Sequence, residues 1–178
     1  MTQFRRARKG GVWLTLDGVD TRILRHLFTE MLELLGPEEP TSDDPLMAAL
    51  GIGTHTERPD DPALARLFPD GYLDDPEAAS EFRRYTEPTL REAKRAAARA
   101  AMETIGQPRE RQLLTPEQAE AWLRALNDTR LVLGERLGVT EDVEALIDSL
   151  DDDDPRLGLF WVYDRLTYLQ EMLVRALW

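Results

Sequence analysis

One stretch constrains this chain more than any other: residues 115–138 spell out a helix from cap to cap. Thr115 can accept from the amide three residues on, Pro116 suits the first helical position, and Gln118 can reach back to close a capping box. Gly138 can take the left-handed conformation that ends a helix. Between them Ala119, Trp122, Leu123, Leu126, Leu133 and Leu137 recur at helical spacing and predict one buried face.

Arg130 interrupts that face, with Asn127 and Asp128 on its shoulder. A guanidinium turned toward a core needs a carboxylate, because an uncompensated buried charge costs about 3–5 kcal/mol. Asp128 lies too near in sequence to face Arg130 along a helix. Glu87 or Glu81, from another segment, is the expected partner. The cluster of Asn127, Asp128, Arg130, Glu87 and Glu81 therefore reads as a structural polar centre with no catalytic residue assigned. A weaker reading makes Asn127, Asp128, Arg130 and Glu87 an enzyme's site.

The 178 residues suit a single domain, 1–178, long enough to bury a core. Hydrophobic content of 42% and charged content of 31% are those of a soluble globular chain. No apolar run reaches bilayer length and the N-terminus lacks a signal peptide's apolar core, so a cytoplasmic protein without membrane contact is expected. With no cysteine, disulfides, thiolate metal sites and a cysteine-oxidation sensor within this chain are excluded. The two histidines, His26 and His55, give zinc or imidazole chemistry little support. No metal and no cofactor are expected.

Around the central helix, residues 4–16 read as a hairpin, with Gly10 and Gly11 supplying the positive φ of a tight turn. Val12, Leu14 and Leu16, or the alternate set, must lean on helices. Asp17 caps a helix over 18–35, with Ile23, Leu24, Leu27, Phe28, Met31, Leu34 and Leu35 inward. Residues 36–75 read as a long loop with helical stubs at 46–50 and 63–68. His55 in this loop is an unremarkable polar residue. Asp75-Pro76 opens a helix to about residue 105, which Pro88 should kink or split. Phe82, Leu90, Ala93, Ala97 and Ala101 form its expected packing stripe. Residues 107–113 are a polar link. Thr140 caps a short helix over 141–150, and Asp154-Pro155 opens the last helix to Trp178. There Leu159, Val162, Tyr163, Leu166, Leu169, Leu173 and Leu177 are expected inward. The fold class is mostly α: a bundle of about five main helices with a small N-terminal β-hairpin.

Residues 133–150 imitate a helix-turn-helix. The second helix, however, would present Glu141, Asp142, Glu144 and Asp148 to the groove, against the phosphate field. The run Asp151–Asp154 lacks the spacing and turn glycine of a calcium loop. A net charge of −12 leaves two basic clusters as docking surfaces for nucleic acid or an acidic protein: Arg5, Arg6, Arg8 and Lys9, and the stripe Arg91, Arg95 and Arg99. Their competing use is pairing with the abundant acids. Trp161, Tyr168, Met172 and Trp178 leave the last helix with apolar surface to spare, which makes a homodimer a candidate assembly. No nucleophile elbow, P-loop or dinucleotide fingerprint occurs, and nothing argues for an enzyme.

Four segments together resemble one actinobacterial family, long called a domain of unknown function and now named after an oxidative-stress transcriptional regulator (AosR-like). They are residues 61–70 (DPALARLFPD), 82–87 (FRRYTE) with Lys94, 114–131 (LTPEQAEAWLRALNDTRL) and 162–171 (VYDRLTYLQE). The family is encoded near the ClpS protease adaptor and genes of cysteine synthesis. The resemblance implies a cytoplasmic, non-enzymatic regulator acting through protein contacts, with a sigma factor or a protease adaptor as the candidate partner, and carries no catalytic residues. The rival is an adaptor or scaffold tied to the Clp proteolytic machinery with no DNA role. Direct DNA contact stays open.

Overall fold

The structure, a computed structural model, describes residues 1–8, 10–36, 46, 57–141 and 143–178. Among them the order is β1 (Gln3–Arg6), β2 (Val12–Thr15), α1 (Gly18–Leu35), α2 (Pro62–Leu67), α3 (Pro76–Glu103), β3 (Arg111–Leu114), α4 (Pro116–Leu137), α5 (Val143–Asp148) and α6 (Arg156–Leu177). The mostly helical class stands. Lys9, the stub at 46–50 and His55 fall at or across positions outside the described residues.

Helix α4 is the hub, packing against α1, α2, α3 and α6. Both halves of its capping box form, and Gly138 ends it at φ +68°. Trp122 is fully buried on its inner face, with Phe4 and Phe28 edge-on at 6.1 and 5.6 Å between ring centres. Its indole N–H donates to Thr104 Oγ1 at 2.7 Å, so the one polar atom of the largest core side chain is satisfied. Around it lie Val12, Leu14, Leu24, Phe28, Leu126, Leu166, Leu169 and Leu173. A second apolar cluster joins Met31 and Leu35 to Leu67, Phe68 and Ala98.

The expected hairpin is part of a three-stranded antiparallel sheet. Residues 111–114, which take up the end of the predicted polar link at 107–113 and the residue after it, pair with β2 in the register Val12↔Leu114 and Thr15↔Arg111. That segment lacks apolar alternation, and its pairing with a strand nearly a hundred residues earlier decides its conformation. Gly11 is obligatory here: φ is +80°, and a Cβ would lie 2.3 Å from the Leu114 carbonyl oxygen. Val12, Leu14 and Leu16 do point inward.

Other expectations shift. Helix α3 runs unbroken through Pro88. The ion pair from Glu87 to Arg91 spans the proline, and the one from Glu87 to Arg83 ties in the turn before it. Phe82 and Leu90 are exposed, and the buried face of α3 consists of Ala79, Arg83, Glu87, Arg95, Ala97, Ala98 and Ala101. In α6, Leu159 is exposed and Phe160 is buried in its place. At the start of α6 Asp154 accepts from the Arg156 backbone N–H at 2.8 Å. The Arg156 side chain holds the Asp154 carboxyl below its ordinary range.

Candidate functional site

The densest polar feature is an i, i+4 ladder on the inward face of α3: Arg83, Glu87, Arg91 and Arg95. The Glu87 carboxylate accepts from Arg83 Nη1 at 3.1 Å and from Arg91 Nη2 at 2.6 Å. Arg83 also pairs with Asp70 and donates to the Phe68 carbonyl at 3.2 Å. Arg91 lies over the Phe68 ring at 4.5 Å and donates to the Leu35 carbonyl at 2.9 Å. Arg95, 3% exposed, reaches the same carbonyl at 3.3 Å. The ladder thus cements the C-terminal end of α1 and the turn after α2 onto α3, and cations suit such a carbonyl-rich helix end. A cavity of about 620 Å³ opens beside it, between residues 68–71 and the first half of α3. The charged groups in its wall, Arg83, Glu87 and Asp70, are spent on one another.

The predicted polar centre is divided. Glu87 belongs to this ladder, and Glu81 is exposed. Asp128, buried, is neutralised by Lys94 Nζ at 2.8 Å. Asn127 accepts from the Gln170 amide at 3.4 Å. Arg130 meets neither predicted acid. Its guanidinium lies 6.0 Å from the Tyr163 ring centre, and its buried Nε has no hydrogen-bond partner. The expectation failed because α4 turns Thr129 and Leu133 to the interior, leaving Arg130 on the half-buried flank toward α6.

A pair that the sequence reading missed ties the ends of the bundle together. Asp20, in the first turn of α1, receives both arms of Arg165 on α6, Nε at 2.9 Å and Nη2 at 2.6 Å. Asp20 keeps the Arg165 guanidinium more firmly protonated than usual. No local pattern could have flagged two residues so far apart.

The two basic clusters fare differently. In the stripe, Arg91 and Arg95 turn inward to the ladder, which corrects their assignment as a docking surface. Arg99 is exposed and has an interaction of its own. On the hairpin Arg5, Arg6 and Arg8 are exposed, and Arg6 donates to the Trp178 carbonyl at 3.3 Å. Trp161, Tyr168 and Trp178 are exposed on α6 and its end, while Met172 is half-buried. The sequence reading also missed Trp13 and Arg111, which meet on the outer face of the sheet at 4.1 Å. The alternation of residues 12–16 was the signal for Trp13, and only the third strand reveals Arg111.

Among the described residues, no cluster of three or more His, Asp or Glu side chains is placed to hold a metal. No helix there is long and apolar enough to cross a membrane.

Residues 1–177 match the family described as Domain of unknown function (DUF2017). Proteins from Mycobacterium bovis and Mycobacterium tuberculosis named oxidative stress regulator AosR are 36% identical over 173 residues, covering 89% of this chain and 78% of theirs. A counterpart from Mycobacterium leprae is 35% identical over the same length. No solved structure matches. The chain therefore belongs to the DUF2017 family, whose mycobacterial members include the oxidative stress regulator AosR.

Proposed function

We propose that this chain is a non-enzymatic, cytoplasmic regulator of the oxidative-stress response that acts as one domain through contacts with a protein partner, a sigma factor being the leading candidate. The names of the mycobacterial relatives support the regulatory role. The observation that carries the mode of action is the neutralisation of three buried acids. Asp20, Glu87 and Asp128 are each occupied by Arg165, by Arg83 and Arg91, and by Lys94, so they serve architecture. With no cysteine in the chain, a redox signal reaches it by some route other than cysteine oxidation, and a partner molecule is the route this reading assigns.

The net charge of −12 and the inward turn of Arg91 and Arg95 also favour the rival, an adaptor or scaffold tied to the Clp proteolytic machinery without a DNA role. The deciding experiment deletes the gene in its own cell and follows survival and transcripts after peroxide. The purified chain is then presented to sigma-loaded RNA polymerase, promoter DNA alone and the ClpS adaptor. The regulator reading expects lost induction and retention by the polymerase. Normal induction with retention by the adaptor overturns it in favour of the rival.

A further inference from the structure

The inner face of the sheet is spent on the core through Phe4, Val12, Leu14 and Leu114. Strand alternation places the other residues outward. Two outward rows follow from the register: Arg5, Trp13 and Leu113, and Gln3, Thr15 and Arg111. Arg5 and Arg111 are exposed, and Leu113 is 52% exposed at the edge of the Trp13 row. Arg111 stacks on the Trp13 ring at 4.1 Å. Among the described residues neither arginine is joined to a carboxylate, although the chain carries 34 Asp and Glu. Two desolvating apolar side chains between two cations of unspent charge are a composition suited to recognition, and arginine with tryptophan is a favoured pairing at binding hot spots.

We infer that this face binds an extended acidic segment of a protein partner, one with an apolar side chain between two carboxylates. The inference rests on the partner-binding reading above and assigns it a surface. Arg5 and Arg111 are two strands and two residues apart, which puts their Cα atoms about 12 Å from one another, or about four residues of extended chain. One carboxylate meets Arg5 and the other meets the Arg111 guanidinium above the Trp13 ring, while the apolar side chain packs on Leu113 and the open rim of Trp13. A nucleic acid fits less well. Its phosphates continue past the patch into the field of a −12 chain, and Leu113 gives them nothing to bind.

The test places the photo-crosslinker benzoylphenylalanine at Leu113 of the full chain in its own cell, with Leu73, 90% exposed and distant from the sheet in sequence, as control. The expected result is an adduct to one protein at the first position only, mapping to a segment with apolar residues between carboxylates. Arg5→Glu with Arg111→Glu, shown folded by circular dichroism, should weaken the purified interaction at least about tenfold. Binding should also fall with added salt. No adduct at Leu113, an adduct to nucleic acid, to a second copy or to a segment without carboxylates, or equal labelling at Leu73 overturns the inference. A normal peroxide response in the deletion strain would instead sink the regulatory reading and leave a mapped acidic segment standing.

Discussion

Arg165 grips the Asp20 carboxylate with two nitrogens, at 2.9 and 2.6 Å, across 145 residues of sequence. The two partners are unequal: Asp20 is 2% exposed, whereas Arg165 keeps an open side and lies 5.2 Å from the Tyr168 ring centre. Losing Arg165 strands a buried carboxylate, and Arg165→Met should cost about 3 kcal/mol. Losing Asp20 leaves an arginine that can swing to water, so Asp20→Leu should cost less, about 1–2 kcal/mol. Urea denaturation of both variants and the double variant should give a coupling of about 1–3 kcal/mol. Equal costs for the two single variants would remove the asymmetry.

Glu87 supports two arginines at once, so Glu87→Gln should destabilise by about 2 kcal/mol or more, putting a neutral amide where Arg83 and Arg91 shared a carboxylate. Glu81→Gln, on the exposed side of the same helix, should stay within about 0.5 kcal/mol of the parent. Thermal unfolding of the two variants side by side checks which glutamate is built into the fold.

Arg130 reverses the usual expectation for an arginine on a core-facing helix. Its buried Nε is unpartnered and no carboxylate among the described residues answers its charge. Arg130→Met keeps the length of the side chain and its contact with Tyr163, and should be neutral or stabilising within about 1 kcal/mol. A loss of about 3 kcal/mol or more, the cost of breaking a buried ion pair, would show that an acid does answer it.

Acid should act through the cap of α1. Asp17 accepts from the backbone N–H groups of Asp20 and Val19, both at 3.1 Å. The Asp20 bond contributes most to holding its carboxyl below the ordinary value of 3.8, against the opposing effect of burial. A folded value lower than the unfolded one means that the contribution is complete above the unfolded value. It is then lost as pH falls through the lower folded value. Asp17→Asn keeps a capping oxygen without the charge. Its denaturation midpoint should therefore decline less between about pH 5 and about pH 2 than the parent's.

Much of this was legible in the sequence because helix ends are local chemistry. Thr115, Gln118 and Gly138, like Asp17, act within a turn of themselves, and each does in the structure what its residue type allows. The third strand was not legible: Arg111 to Leu114 has no pattern of its own and takes its shape from β2. The ladder was hidden for another reason. Periodicity analysis assigns apolar residues to the interior and arginines to the surface, so Phe82 and Leu90 looked buried while Arg95 looked free. Glu87 and Asp70 answer the charge of Arg83 and Arg91, and the Phe68 and Leu35 carbonyls accept from all three arginines, and that allowed the charged stripe to face inward.

The third strand also sets a timetable. A growing chain makes β1 and β2 first, yet the strand that completes their sheet arrives only at Leu114, and the clamp on Asp20 only at Arg165. Until then Val12, Leu14, Leu24 and Phe28 have no finished core to enter, so the apolar surface of the N-terminal half stays uncovered until most of the chain has been made.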